Sequence, residues 1–134
     1  MVKLLELRKK YKSEYKNFSD IDILIMNTLK IDRSKLFLDI SVSKEQEKEI
    51  AQGVLRLSKG EPVSYITGHK EFMSLDFSVN NATLIPRQDT EILVEEIIGF
   101  YKDKCSPFIF EIGTGTGCIA ISLAHYLKNA HIIA

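Results

Sequence analysis

Residues 110 to 124 read "FEIGTGTGCIAISLA": an apolar run, glycines at 113, 115 and 117, then a second apolar run. Glycine is required where the backbone takes positive φ or where a ligand lies against the main chain, because a Cβ would occupy that space. A parallel strand that ends in such a turn delivers the chain into a helix whose first amide hydrogens are unpaired. Those hydrogens point back over the strand end and make a place for an anionic or polar ligand. The flanking segments support this placement. "SPFIFEIG" predicts a short buried strand, "CIAISLAHYLKN" a helix that stops near Asn129, and "AHIIA" the opening of a second strand. Strand, glycine turn, helix, strand is the first unit of a parallel, doubly wound sheet.

The chain ahead of this unit changes character twice. Leu4, Leu5, Arg8, Tyr11 and Tyr15 recur at helical spacing, which predicts an amphipathic helix over 2–16. Ser19 or Asp20 caps a second helix whose buried stripe is Ile21, Leu24, Ile25 and Leu29. A short turn of helix is expected around Ser34 to Leu38. Ser43 with Gln46 forms a capping box that opens a helix of about fifteen residues, with Ile50, Val54, Leu55 and Leu57 inward and Gly60 as its stop. Pro62 cannot continue that helix, and Gly68 breaks the local pattern. Beyond them Phe72, Leu75, Phe77 and Val79 are spaced as in a strand, "NNAT" (80–83) supplies a turn, and "LIP" (84–86) resumes extended structure. Together these predict a β-hairpin. Asp89 or Thr90 then caps a helix over 90–102 that turns Leu93, Val94, Ile97, Ile98 and Tyr101 inward.

Composition narrows the function classes. With 45% hydrophobic residues the 134-residue chain can build a core, and its net formal charge of zero does not favour nucleic acid or a membrane surface as the main partner. The basic start (Lys3, Arg8, Lys9, Lys10, Lys12, Lys16) reads as the solvated face of a helix. Cys105 and Cys118 are too few for a disulfide framework or a zinc site. The first residues lack the features of a signal peptide, and no apolar run reaches the roughly 18 residues of a membrane span. A soluble, cytoplasmic, monomeric protein is the expectation.

Spacing within the turn separates the candidate ligands. Dinucleotide turns follow Gly-x-Gly-x-x-Gly, which would place glycine at 118, where this chain has Cys118. The order here is acid-x-Gly-x-Gly-x-Gly, with Glu111 as the acid. That order resembles the first motif of the S-adenosylmethionine-dependent methyltransferases, Rossmann-like folds that use the turn for a nucleoside and an amino-acid moiety. "GEPVSYITGHKEFMSLDFSVNNATLIPRQDTEILVEE", residues 60–96, followed by "FEIGTGTGCIAISLA", is similar to the HemK/PrmC family. Its members are bacterial methyltransferases that modify the glutamine side-chain nitrogen of peptide chain release factors. The resemblance is specific over 60–124 and architectural over 1–59. Gln88 stands where proline is frequent in that family, and Ser74 where glycine is frequent in its hairpin.

The resemblance implies an α/β parent protein with three parts. These are a helical bundle over 1–68 that docks the protein substrate, a hairpin linker over 69–88, and the incomplete start of a Rossmann-like methyltransferase domain over 89–134. It implies that Glu111, Gly113, Thr114, Gly115, Thr116 and Gly117 bind S-adenosylmethionine, Glu111 at the methionine end. Arg87, Thr90 and Glu91 match the family's linker motif. Positioning of cofactor or substrate stands there beside helix capping and a surface ion pair. Tyr65, Phe72 and Phe77 read as core packing, and His69, His125 and His131, with no carboxylate or cysteine at ligand spacing, as ordinary residues. The family's Asn-Pro-Pro-Tyr motif, which holds the substrate amide, does not occur in the 134 residues. Nor does the acidic residue expected at the end of the second strand. The expectation is therefore an N-terminal portion of a longer enzyme, with no catalytic residue of its own and no turnover. Two other classes compete: a nicotinamide- or flavin-dependent oxidoreductase, and a docking module without chemistry.

Overall fold

The computed structural model describes residues 1–102 and 106–134; Cys105, and with it any pairing it makes, lies outside the described residues. The chain divides into two compact units, Met1–Thr67 and Gly68–Ala134. It is mostly helical, with three two-stranded sheets among the described residues.

In the first unit a short strand, β1 (Val2–Lys3), precedes α1 (Leu4–Glu14). β1 pairs antiparallel with β2 (Ser41–Val42), Val2 opposite Val42. The Leu4 amide donates to the Ile40 carbonyl at 2.9 Å, so the helix starts two residues later than its periodicity predicts. This anchor also sets the helix rotation. Leu4, Leu7 and Tyr11 are buried while Leu5 is exposed, which corrects the expected stripe by replacing Leu5 with Leu7. Helix α2 (Phe18–Leu29) is capped by Asn17, whose side-chain oxygen accepts from the Ser19 amide at 3.3 Å. Ser19 and Asp20 are thus the second and third helical residues rather than caps. Asp20 there meets the positive end of the helix dipole.

A 3₁₀ turn (Arg33–Phe37) forms where a short helical turn is expected, capped by the Asp32 carboxylate on the Lys35 amide. Helix α3 (Lys44–Ser58) opens on the expected capping box. Ser43 Oγ accepts from the Gln46 amide at 3.2 Å, and Gln46 Oε1 accepts from the Ser43 amide at 3.0 Å. Ile50 and Leu57 are buried, but Leu55 is exposed; the inward position it was expected to hold belongs to Gly53. A Cβ on Gly53 would lie 2.6 Å from both terminal methyls of Leu24, so glycine permits the close approach of α2 and α3. α3 ends as expected just ahead of Gly60, which sits at φ +86°, and Pro62 then introduces a short helix the periodicity does not predict, α4 (Val63–Thr67). Proline is tolerated at a helix start because the amide hydrogen it lacks has no helical partner there.

The second unit begins with a hairpin placed differently from expectation. Strands β3 (His69–Phe72) and β4 (Leu75–Ser78) pair antiparallel, with Phe72 opposite Leu75 and His69 opposite Ser78. The chain reverses at Met73 and Ser74, both at positive φ, +50° and +58°. A two-residue turn of this kind usually carries Asn-Gly or Asp-Gly. Met-Ser has no such signature, so the periodicity of 72–79 reads as one strand. "NNAT" does turn, Asn80 Oδ1 accepting from the Ala82 amide at 2.9 Å, but it lies outside the hairpin, and 84–86 form no strand.

Helix α5 (Gln88–Tyr101) starts ahead of the expected caps, with Arg87 at the cap position and Asp89 and Glu91 in the first turn. Val94 is its buried anchor, and Leu93 faces outward against expectation. Strand β5 (Phe108–Phe110), helix α6 (Cys118–Tyr126) and strand β6 (His131–Ile133) complete the unit, α6 ending three residues before Asn129. β5 and β6 are parallel, Phe108 opposite His131 and Phe110 opposite Ile133. Phe72, Phe77, Val94, Cys118, Leu123 and Leu127 form one core, with Ile109 and Ile132 against it. The expectation of a buried β5 is corrected, because Phe108 and Phe110 are exposed. A parallel strand is buried on both faces only when elements cover both, and here the helices cover the Ile109 face alone.

Candidate functional site

The glycine turn is neither helical nor sealed. Gly113, Gly115 and Gly117 sit at φ +79°, +58° and +76°, a conformation that side-chain-bearing residues adopt only at a cost. A Cβ built on Gly113 would meet nothing within 4 Å, so its main chain borders open space. Gly117 differs. It caps α6, it is buried, and a Cβ there would stand 3.0 Å from Ile121 Cδ1. Its amide donates to the Thr114 carbonyl at 2.8 Å, closing the turn on itself.

Glu111 ties the strand end to the helix start. Its amide donates to the Ile133 carbonyl at 2.8 Å, extending the ladder by one bond. Its Oε2 accepts from the Ala120 amide at 3.2 Å, the third residue of α6. A carboxylate at a helix N-terminus both satisfies an orphan donor and meets the dipole favourably. This role was not read from the sequence, although an acid two residues before a helix-opening glycine turn carries the signal for it.

A cavity of about 140 Å³ lies over the turn, lined by Glu111, Gly113, Thr114, Gly115 and Thr116 on one side and by Arg87 and Thr90 on another. Leu84, Ile85 and Pro86 complete a third wall, which the sequence reading assigned to a strand. The structure therefore brings together seven of the nine residues singled out from the sequence. Gly117 lies beneath the turn. Glu91 points elsewhere: its Oε1 accepts from the Met73 amide at 2.7 Å, at the hairpin tip. Of the histidines, His69 pairs with a carboxylate across the hairpin, Nδ1 standing 2.9 Å from Asp76 Oδ2 on the exposed face. His131 stacks on Phe108, its neighbour across β5 and β6.

Residues 106–134 thus form a parallel strand–helix–strand α/β unit with an open glycine turn, an acid bound at the helix start and a cavity above the turn. Here it follows a compact helical unit with its own core. Comparison with known proteins is more particular. Residues 6–68 match the PrmC N-terminal domain. The chain is 52% identical over 84 residues to the release factor glutamine methyltransferase of Moorella thermoacetica, covering 62% of this chain and 29% of that protein. It is 42% identical over 116 residues to the protein of the same name from Buchnera aphidicola subsp. Schizaphis graminum, covering 85% of this chain and 42% of that protein. With the Buchnera aphidicola subsp. Baizongia pistaciae protein, also of that name, it shares 37% identity over 134 residues, 98% of this chain and 48% of the relative. The chain is thus similar to the release factor glutamine methyltransferases and carries the PrmC N-terminal domain over residues 6–68, and it spans between 29% and 48% of the length of these relatives.

Among the described residues no helix is long and apolar enough to cross a membrane, and no group of three or more His, Cys, Asp or Glu could hold a metal ion.

Proposed function

We propose that this chain forms part of a cytoplasmic enzyme that methylates the side-chain amide nitrogen of a glutamine in peptide chain release factors, with S-adenosylmethionine as donor. The names of its relatives support the modified residue and the protein substrate. The donor rests on one observation: positive-φ glycines at 113 and 115 that expose main chain to a cavity walled by Glu111, Arg87 and Thr90. These residues fit the group. Gly113 leaves room against its backbone, and the Glu111 carboxylate, having accepted one bond from Ala120, retains acceptor capacity for an ammonium. When bound, S-adenosylmethionine supplies a methyl group on a positively charged sulfur. The chain's part is to bind and orient: Glu111 anchors the amino-acid end, Gly113 to Thr116 lie along it, and Arg87 and Thr90 border it.

We assign residues 1–68 to docking of the release factor, 69–88 to the connection, and 89–134 to the opening of a Rossmann-like methyltransferase domain. Transfer to a carboxamide nitrogen is demanding because its lone pair is delocalised, so catalysis there is mainly positioning and electrostatic matching. The 134 residues include no Asn-Pro-Pro-Tyr, and by themselves they turn nothing over. At about 140 Å³ the cavity is also smaller than the roughly 300–1,000 Å³ of common small-molecule sites, so weak binding is the expected outcome for the 134 residues.

Titration of the ¹⁵N-labelled chain with S-adenosylmethionine tests the reading. Amide shifts are expected at 84–90 and 111–120, with nicotinamide dinucleotide leaving them unmoved. Shifts confined to other regions, an equal response to the dinucleotide, or none at millimolar ligand would overturn the donor assignment.

A further inference from the structure

The hairpin tip is held from two sides. The Met73 amide donates to Glu91 Oε1 at 2.7 Å, and the Met73 carbonyl accepts from the Tyr126 hydroxyl at 2.8 Å. Glu91 belongs to the first turn of α5 and Tyr126 is the last residue of α6. One residue's backbone thus joins all three elements. Met73 and Ser74 also occupy the left-handed region without being glycine or asparagine, a conformation that is costly for them and persists only where the surroundings hold it. Both hydrogen bonds to Met73 provide that hold.

The consequence reaches the glycine turn through the two helices. The start of α5 places Arg87 and Thr90 against the cavity, and the start of α6 is the glycine turn itself. Helices α5 and α6 otherwise meet through apolar side chains, Val94 and Leu123 among them, which fix separation better than sliding along the axes. A directional bond from each helix to the same peptide supplies the axial register that apolar packing leaves soft.

We infer that Glu91 and Tyr126 are positioning residues for the ligand site over residues 113–117, acting through the Met73 backbone without touching the ligand. This rests on the functional reading above for the identity of the ligand, but not for the geometry. It also gives Glu91 a role apart from the direct positioning that its motif implied.

The test compares Glu91→Gln, Glu91→Ala and Tyr126→Phe. Gln keeps an acceptor for the Met73 amide and loses the charge, whereas Ala loses both. In the ligand-free chain, amide exchange at 87–90 and 113–117 is expected to rise about three- to tenfold in Glu91→Ala and Tyr126→Phe. In Glu91→Gln it should stay within about twofold of the parent. Adding Ser74→Gly to Glu91→Ala relaxes the left-handed turn but restores no bond to α5, so protection at 87–90 and 113–117 should stay low; full recovery would mark turn strain alone and overturn the inference. S-adenosylmethionine affinity, read from the same amide shifts, should follow the same order. Faster exchange confined to 73–74 would overturn the inference, and so would Glu91→Gln behaving like Glu91→Ala, which would mark a direct charge role. Absence of S-adenosylmethionine binding in the parent chain counts against the functional reading alone, since the exchange pattern decides the positioning role without ligand.

Discussion

Replacing Asp22 by asparagine removes the charge at the centre of the first unit's polar cluster. Asp22 lies on α2 and accepts from Arg8 Nε at 2.7 Å, from Arg8 Nη2 at 2.9 Å and from Lys12 Nζ at 2.9 Å. The side chains are 12%, 16% and 25% exposed for Asp22, Arg8 and Lys12, so these bonds are well shielded from water. A charge-assisted bond contributes about 1.5–3 kcal/mol and a neutral one about 0.5–1.5. Asparagine keeps one acceptor oxygen and puts an NH2 where the other stood, so at least one of the three bonds is lost outright and the rest weaken by about 1 kcal/mol each; less the rehydration open to Arg8 and Lys12, the loss is about 2–3 kcal/mol. A unit of this size has only several kcal/mol of stability, at roughly 0.05–0.15 kcal/mol per residue.

The dependence on pH carries the sign of the same cluster. Burial pushes the Asp22 carboxyl up, but the hydrogen bonds and charges of Arg8 and Lys12 outweigh burial and hold it below its ordinary value. A carboxyl lowered in the folded state stabilises fully above its unfolded value, near ~4. That contribution is lost as pH falls through the lower folded value. Urea unfolding at pH 7, 5, 4 and 3 measures it. The chain has no tryptophan, so the methyl resonances of Ile21, Ile25 and Ile50 serve as the probe. The parent should exceed Asp22→Asn by about 2–3 kcal/mol at pH 7 and 5 and converge with it toward pH 3. A gap under about 0.5 kcal/mol at pH 7, the range of an ordinary surface change, would refute the reasoning. So would a gap that does not narrow in acid.

Two further substitutions address local elements. Ser43→Ala breaks both arms of the α3 capping box and should cost about 1 kcal/mol in urea unfolding of the first unit, with amide exchange quickening first at residues 44–47. Gly113→Ala meets no steric obstacle within 4 Å, so its cost of about 1–2 kcal/mol comes from φ alone, and the S-adenosylmethionine shifts at 111–120 should disappear in calorimetry-matched titrations.

Much of the chain was legible because its signals are short-range. The Ser43–Gln46 capping box, the glycine turn, and the stripe of Ile21, Leu24 and Ile25 each depend on residues within four positions of one another, and each forms as read. The misreadings occur where a distant partner decides. Rotation of α1 follows the pairing of Val2 with Val42, which buries Leu7 in place of Leu5. The hairpin tip falls at Met73 because Glu91 and Tyr126 hold that peptide in a conformation its own residue type disfavours. Exposure of Phe108 and Phe110 depends on which sheet face the helices cover, and periodicity over a three-residue strand is silent about that.

For the site the division is similar. Glycine spacing and the acid at 111 are properties of sequence, because φ at each glycine is a local freedom that neighbours cannot confer on other residues. That Arg87 and Thr90 come to stand over residues 113–116, while Glu91 turns to the hairpin, is a property of tertiary structure. Residues more than twenty positions apart meet only when α5 packs on α6, and that packing is set by the shared core of Phe72, Val94 and Leu123. Local chemistry determined the shape of the turn and the bare main chain it exposes. Only the packed helices decided which side chains surround it, because burial of apolar surface acts between elements irrespective of their distance along the chain.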